Sequence, residues 1–502
     1  MKCKVILEPS GKQFLVEKDS SLSDVLKGTE VEFPCGSRGV CGKCKVKLLS
    51  GDINLDERHK AILVRMGLSE EWRLACYSNV STDITIEIPS GGMKIQSDTS
   101  KIRFQPEEGY GIAVDLGSTT IVIQLIDLTN GEILATRSGI NSQSHYGSDI
   151  ISRISYSMES VNNAKCLMYC VREFIGSEIE EMISAVPLSK VKRVVIAGNT
   201  VMHHLFSGID VSPLAVAPFQ SEHNQSMWFS PSDLGWNVSD SCMIEFLPNL
   251  SHFVGSDVLC GIQACDMLEK NKYSLLVDLG TNGEIALVCN GKVICTSTAA
   301  GPAFEGINIS CGMRATDGAI YSASNIDGKF SFKTVGNVEP KGLCGSGLVE
   351  VVHTLFDMNL VDYTGAFVDE KTFVSLSDSV KFTIADIREF QLAKAALSAG
   401  ISLILKKNGI SPSQIDNVYI TGGLGNYLNV EKAKSLGLLR EFPSEKIVKI
   451  ENASLAGCRE LLFSSNRSNI SNITENCEFF ALESDSDFQD VFCDNLYFNI
   501  EK

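Results

Sequence analysis

Cys35, Cys41 and Cys44 stand together in the run C-G-S-R-G-V-C-G-K-C, and Cys76 follows in R-L-A-C-Y-S. Three thiolates come from one glycine-rich loop and the fourth from well downstream. That layout suits a [2Fe–2S] cluster, whose two irons share four thiolates. Gly36, Gly39 and Gly42 let the backbone curl closely and aim amide N–H groups at the sulfurs. A zinc site usually pairs two short C-x-x-C hooks, and only Cys41 and Cys44 form one here. Structural disulfides belong to exported chains, and Met1-Lys2-Cys3-Lys4 leads into a strand rather than an apolar signal core. Electron transfer is the chemistry these four residues predict.

A second constellation suits a nucleoside triphosphate, which needs backbone N–H donors for its phosphates and a carboxylate for the Mg²⁺ shell. The apolar run Ile112-Ala113-Val114 leads into Asp115-Leu116-Gly117-Ser118-Thr119-Thr120 and then a second apolar run, Ile121 to Ile126. The same device recurs around Asp278-Leu279-Gly280-Thr281-Asn282-Gly283-Glu284. In each hairpin the glycine admits a phosphate, the hydroxyls add donors, and the aspartate faces the metal and its waters. Two hairpins facing across a cleft would clamp the triphosphate from both sides. One such turn is common and means little. Two of them, followed by Thr421-Gly422-Gly423-Leu424-Gly425-Asn426, point to ATP. No G-x-x-x-x-G-K-[ST] run is present, which excludes a P-loop, and Gly423-Leu424-Gly425 lacks the third glycine of a dinucleotide fingerprint.

Positioning these groups takes several domains, since 502 residues are too many for one core. Cys3, Val5 and Leu7 alternate with polar residues as in a half-buried strand, Phe14 to Val16 returns, and Ile84, Ile86 and Ile88 alternate again. Ser21 to Leu26 reads as a capped helix start. Residues 1–92 are therefore expected to form a small cluster-bearing domain, and the polar stretch 93–109 a linker. A flexible linker would let the cluster swing between donor and acceptor. A middle domain over 110–265 holds the first hairpin, the strand Val194 to Ala197 and a helix opened by Gly255-Ser256-Asp257. A C-terminal domain over 266–502 holds the second hairpin, a helix from Gln391 to Leu405 and another starting at Asn452. The repeated hairpin suggests a duplication of two related lobes. From about Ser464 the chain is polar and then acidic, and it reads as a surface tail packed by Phe479, Phe480, Phe488 and Phe492.

A net charge of −17 argues against non-specific nucleic-acid binding and against docking on anionic lipid. No apolar run approaches a membrane span, so the cytoplasm is the expected compartment. Most of the seventeen cysteines sit in apolar settings and read as small buried hydrophobes of a reducing cell. Cys166 and Cys170 lie one helical turn apart, with no second pair to complete a metal site. Asp149 and Arg153 have the same spacing and are placed to pair with each other.

The ordered hairpins, turns and helices resemble the actin, Hsp70 and sugar-kinase superfamily. Residues 1–92 resemble β-grasp [2Fe–2S] ferredoxins, with five residues rather than the plant-type four between the first two cysteines. The combination resembles the reductive activators of corrinoid proteins. Further runs carry that likeness: Tyr146 to Arg153, Ala197-Gly198-Asn199-Thr200, Gly301-Pro302-Ala303-Phe304-Glu305-Gly306 and Gly342-Leu343-Cys344-Gly345-Ser346-Gly347. The implied fold is an α+β β-grasp ferredoxin domain followed by an α/β body of two actin/Hsp70/sugar-kinase-like (ribonuclease H-like) lobes. By the same resemblance Cys35, Cys41, Cys44 and Cys76 hold the cluster, and Asp115 and Asp278 organise Mg²⁺. Gly117, Ser118, Thr119, Gly280, Thr281 and Asn282 would contact phosphates, and Gly422, Gly423 and Gly425 would pass beneath the adenosine. Glu284 or Glu305 would position the attacking water, a purely structural carboxylate being the alternative for each. The implied partners are a corrinoid protein, whose Co(II) is returned to Co(I), and a low-potential electron donor, with a homodimer left open. Two other readings stand beside this one: an ATP-gated donor to another low-potential metalloenzyme, and a redox-sensing ATP-binding docking module. A sugar kinase would have no use for the ferredoxin domain.

Overall fold

The computed structural model describes the chain apart from residues 1, 9–10, 27–28, 30, 32–43, 66–68, 89–99, 148, 185, 217–218, 270, 281, 370 and 499–502. The N-terminal sheet has five strands: β1 (Lys2–Glu8), β2 (Lys12–Glu17), β3 (Lys45–Ser50), β4 (Trp72–Leu74) and β5 (Ile84–Glu87). Their order is β2-β1-β5-β3-β4, with β1 and β5 parallel. The period-two pattern sets the faces: Cys3, Val5 and Leu7 of β1 and Ile84 and Ile86 of β5 are buried together. Two short helices, α1 (Leu22–Val25) and α2 (Glu57–Arg65), complete this domain. The second was not legible in the sequence. The domain touches the body where His145 Nε2 donates to the Ser23 carbonyl at 3.1 Å.

The middle lobe is built on β6 (Tyr110–Leu116), β7 (Thr120–Asp127), β8 (Glu132–Ile140), β9 (Val191–Gly198), β10 (Met227–Phe229) and β11 (Met243–Phe246), in the order β8-β7-β6-β9-β11-β10. Helices α3 (Ile150–Glu159), α4 (Val161–Ile183) and α5 (Thr200–Ser207) accompany this sheet. Leu167, Val171, Ile175 and Ile179 form the buried stripe of α4, at helical spacing. The C-terminal lobe is built on β12 (Tyr273–Leu279), β13 (Gly283–Cys289), β14 (Lys292–Thr298), β15 (Asn417–Thr421), β16 (Ile447–Lys449) and β17 (Cys477–Phe479), in the order β16-β15-β12-β13-β14-β17. The sets β8-β7-β6-β9-β11 and β14-β13-β12-β15-β16 are the same sheet written twice. Three antiparallel strands lead into two that run parallel to the first. The duplication suggested by two short hairpins therefore extends through both lobes, and the two-lobed α/β body expected from the resemblance is present.

Two helices lie between the sheets: α6 (Ser256–Ala264) closes the middle lobe, and α9 (Ala453–Leu461) follows α7 (Gly345–Asp357) and α8 (Ile384–Lys407) of the C-terminal lobe. One apolar core takes residues from both sheets and both helices, including Ala113, Val195, Leu276, Ala286, Leu259 and Leu455. The helices nearly touch where they cross. A Cβ on Gly457 would stand 2.1 Å from the Cys260 carbonyl oxygen.

The tail beyond Ser464 is more than a surface wrap. Helix α10 (Ser468–Glu475) packs on α6, β17 adds a parallel edge strand to β14, and α11 (Phe488–Asp494) packs on α8. The expectation of a flexible linker also changes. Residues 93–99 lie outside the described residues, but 100–107 are fastened across α6 and α9: Ser100 accepts from Arg459, Arg103 bonds Glu460, and Phe104 stacks on Phe463 at 4.6 Å.

The crossing makes a definite prediction. Gly457→Ala must drive the two helix backbones apart and is expected to lower unfolding free energy by roughly 2 kcal/mol or more, read by denaturant titration. Gly328→Ala, at a turn whose added Cβ meets nothing within 4 Å, is the comparison and should cost only about 1 kcal/mol of backbone strain. Equal costs would mean that the crossing is looser than described.

Candidate functional site

Cys44 lies one residue before β3, and Cys76 two residues after β4. These strands pair antiparallel with Lys45 opposite Leu74, and the Ala75 N–H donates to the Cys44 carbonyl at 2.9 Å. Strand pairing thus carries the two thiols to 3.2 Å from each other, with no disulfide between them. Two thiols converging at the foot of a sheet suit ligands of a single iron, so these residues fit a [2Fe–2S] centre. Cys35 and Cys41 lie outside the described residues.

The other constellation gathers between the lobes. Asp115 and Asp278 occupy equivalent places, each the second-last residue of its strand, β6 and β12. Asp257 enters from the first turn of α6, and Glu284 from β13 beside Asp278. Asp115 is held from the opposite lobe: its Oδ2 accepts from Asn452 Nδ2 and its Oδ1 from Ser454 Oγ, both at 2.8 Å. The third turn closes against the same group, since a Cβ on Gly422 would stand 2.4 Å from Asp278 Oδ1. Gly422 has φ +89°, a left-handed conformation that favours glycine.

The tip of the first hairpin is fixed from outside. Asn141 Nδ2 donates to the Gly117 carbonyl at 2.8 Å, and the Asn141 N–H to the Thr119 carbonyl at 2.8 Å. Asn199 Nδ2 donates to Ser118 Oγ at 2.9 Å, and Arg153 Nη2 to the Ser118 carbonyl at 2.6 Å. Arg153 does not spend its guanidinium on Asp149 as the spacing suggested. Asp149 instead caps α3 by accepting from the Ser152 N–H, and Arg153 also donates to the Gly147 carbonyl. Burial lowers the Arg153 pKa to about 10. Of the second hairpin tip, Gly280 and Asn282 are described and Thr281 is not. Gly423 and Gly425 continue the third turn, where the Gly425 N–H donates to the Gly422 carbonyl at 3.0 Å. Beside this turn opens a cavity of about 510 Å³, with Tyr427, Tyr321 and Ser346 in its lining. Ribose and base need a space of this order.

Sequence reading missed Asp257, Asn452, Ser454, Asn141, Asn199 and Arg153 as parts of this site. For Asn452 and Asn199 a signal existed, because each opens a helix as an N-cap and so sits where a helix points at the cleft.

The electrostatics bear on what the cleft would hold. Burial raises the pKa of Asp115, against the opposing bonds from Asn452 and Ser454. It raises Asp257 as well, with the Asp115 charge adding to it. Asp278 rises through burial and the nearby charges of Asp257, Asp115 and Glu305, and Glu284 through burial, Asp257 and Asp278. Like charges crowded in a low dielectric resist ionising together, and a divalent cation relieves them. Among the described residues no three His, Cys, Asp or Glu side chains stand close enough to hold a metal outright. The donor set therefore suits Mg²⁺ held through waters and phosphates by one or two carboxylates.

A carboxyl raised on folding favours the folded chain only while protonated. Its contribution is complete below the ordinary range near 4 and is lost as pH rises through the raised value. Without added Mg²⁺, Asp278→Asn is therefore expected to stabilise the protein increasingly from pH 5 to pH 8, by about 1 kcal/mol or more at the upper end, in thermal unfolding. A variant no more stable than the wild type at pH 8 would contradict the crowded-carboxylate arrangement.

Comparison with known proteins accounts for the whole body. The model of the C-terminal domain of RACo, the ASKHA domain, matches residues 272–502, and that of the RACo middle region matches 110–270. A 2Fe-2S iron-sulfur cluster binding domain matches 5–81. The corrinoid activation enzyme RamQ of Eubacterium limosum is 31% identical over 421 residues, covering 78% of this chain and 70% of that protein. The [Co(II) methylated amine-specific corrinoid protein] reductase of Methanosarcina barkeri is 28% identical over 397 residues, 71% of each chain. A solved reductive activator for a corrinoid, iron-sulfur protein superposes with a TM-score of 0.69 at 24% identity, over 99% of this chain and 98% of that one, which establishes the shared fold. Cluster-binding domain, middle region and ASKHA domain follow one another in a single chain, which belongs to the RACo family of reductive activators of corrinoid proteins.

Proposed function

We propose that this protein uses ATP to drive one electron from a [2Fe–2S] centre to the cobalt of a corrinoid protein, returning inactive Co(II) to Co(I). The observation that carries this reading is the pairing, in one chain, of converging thiols Cys44 and Cys76 with a crowded carboxylate cleft between duplicated lobes. Two relatives named for corrinoid activation and for Co(II) corrinoid reduction support the choice of substrate. When bound, the cluster supplies one electron at low potential, roughly −400 mV for plant-type centres. Delivery to a corrinoid of lower potential is uphill, by a factor of ten for each ~59 mV. ATP can offset that gap only by binding one arrangement of the complex better than another.

The residues divide this work. Cys35, Cys41, Cys44 and Cys76 hold the cluster. Asp115 and Asp278 hold Mg²⁺ through its waters, and the tips Gly117 to Thr119 and Gly280 to Asn282 offer N–H groups and hydroxyls to the phosphates. Gly422, Gly423 and Gly425 carry the ribose, and the cavity beside Tyr427 takes the base. Glu284, kept toward its neutral form by burial and by the charges of Asp257 and Asp278, could take a proton from water only as the ionised carboxylate, a form that a cation beside those aspartates would favour. Glu305, half-buried and close enough to raise Asp278, is the alternative for orienting water.

The test is anaerobic: chemically reduced protein is mixed with a Co(II) corrinoid protein from the same cell, and Co(I) absorbance is followed with and without Mg-ATP. Co(I) is expected only with Mg-ATP. Asp278→Ala is expected to lose at least about tenfold in rate while keeping its cluster spectrum. Cys76→Ala is expected to lose the cluster spectrum while still binding ATP. No Co(I) from protein with an intact cluster and measurable ATP binding would exclude this partner.

A further inference from the structure

The segment 100–107, which leads from the ferredoxin-like domain into β6, is bonded to both helices at the inter-lobe crossing. The Arg103 N–H and Nε donate to Glu460 Oε1 at 3.1 and 3.2 Å, and Nη2 to Glu460 Oε2 at 2.9 Å. The same guanidinium donates to the Gln263 carbonyl and pairs with Asp266 at the other helix. Glu460, only 3% exposed, also accepts from Gln263 Nε2 at 2.6 Å, so a single carboxylate joins α9, α6 and the segment. Neighbouring contacts fasten the rest: Asn466 Nδ2 donates to the Arg103 carbonyl at 2.7 Å, and Ser464 Oγ to Glu107 at 3.2 Å.

Both helices start at the cleft and end at Arg103. Helix α6 carries Asp257 in its first turn and Gln263 in its last, with Asp266 just beyond its end. Helix α9 begins beside Asn452 and Ser454, which hold Asp115, and reaches Glu460. Both oxygens of Asp115 are bonded to the start of α9, so a shift of that carboxylate toward a bound cation would be passed to α9 and change its angle against α6. A guanidinium is a rigid planar fork and cannot follow two helices that shift apart.

We infer that Arg103 is a positioning residue that ties the tether of the ferredoxin-like domain to the angle between α6 and α9, so that nucleotide binding loosens the tether and widens the reach of the cluster. The inference rests on the ATP-driven electron transfer proposed above. In that cycle the electron donor and the corrinoid need not occupy the same spot, because the fastened and loosened tethers present the cluster to different places.

Hydrogen exchange of the full-length protein tests this, with and without a non-hydrolysable ATP analogue and Mg²⁺. Amides of residues 101–107 are expected to exchange roughly threefold faster or more with the analogue, while the hairpin tips become protected. In Arg103→Ala the segment should exchange fast in both conditions, with the analogue bound up to about threefold more tightly than by wild type and Mg-ATP stimulation of Co(I) formation down about tenfold. Arg103→Lys, which keeps the charge but not the fork, should fall between. Analogue binding that leaves 101–107 unchanged in the wild type overturns the inference without any variant. Full stimulation in Arg103→Ala overturns it as well. Absence of analogue binding to the wild type would instead sink the ATP reading and the inference with it.

Discussion

The rest of the body depends on the approach of α6 to α9. Gly457 against the Cys260 carbonyl leaves no room for a side chain, so the helices cross with their backbones in contact. Ala453, Ala456 and Cys458 keep the same face of α9 narrow, and Cys260 and Cys458 meet at 3.7 Å. Because the crossing is thin, each sheet can pack on both helices at once, and the two lobes share a core instead of merely adjoining.

That crossing also explains why so much charge is gathered in one place. Strands β6 and β12 end on either side of it, and α6 and α9 point their N-termini at the same gap. Asp115, Asp257, Asp278 and Glu284 are brought together by the duplicated topology and not by any local sequence pattern. Helix N-termini partly compensate such charge, and Asn452 and Ser454 supply two of the compensating donors. The remaining excess of negative charge is of the kind that a hydrated dication relieves.

The two hairpins were legible because each is written in a few consecutive residues, and the order of the motifs was enough to suggest two lobes. The identity of sheet order between the lobes was not legible, since the strands that correspond outside the hairpins share few residues: β9 and β15 coincide only at Val194 with Val418, Ile196 with Ile420 and Gly198 with Gly422. Arg153 looked like half of a local ion pair and is in fact a buried support for the Ser118 carbonyl. The bonds from Asn452 to Asp115 and from Arg103 to Glu460 join residues 337 and 357 positions apart, and no spacing rule reaches that far. The polar composition of 100–107 reads as a linker for the same reason: its partners are charged side chains near the far end of the chain.

Those long separations order the birth of the protein. The N-terminal domain closes on itself: β1 pairs with β5 within its first ninety or so residues, so it can form early on the ribosome. The middle lobe follows, but it emerges with one face of β6 bare: Gly111 packs against Leu462, and Arg193 of β9 donates to the Leu462 carbonyl. Until residues beyond 450 emerge, that apolar face and the Arg103 segment have only α6 to rest on. A nascent chain therefore carries an incompletely covered core from the emergence of the Asp115 hairpin until helix α9 follows.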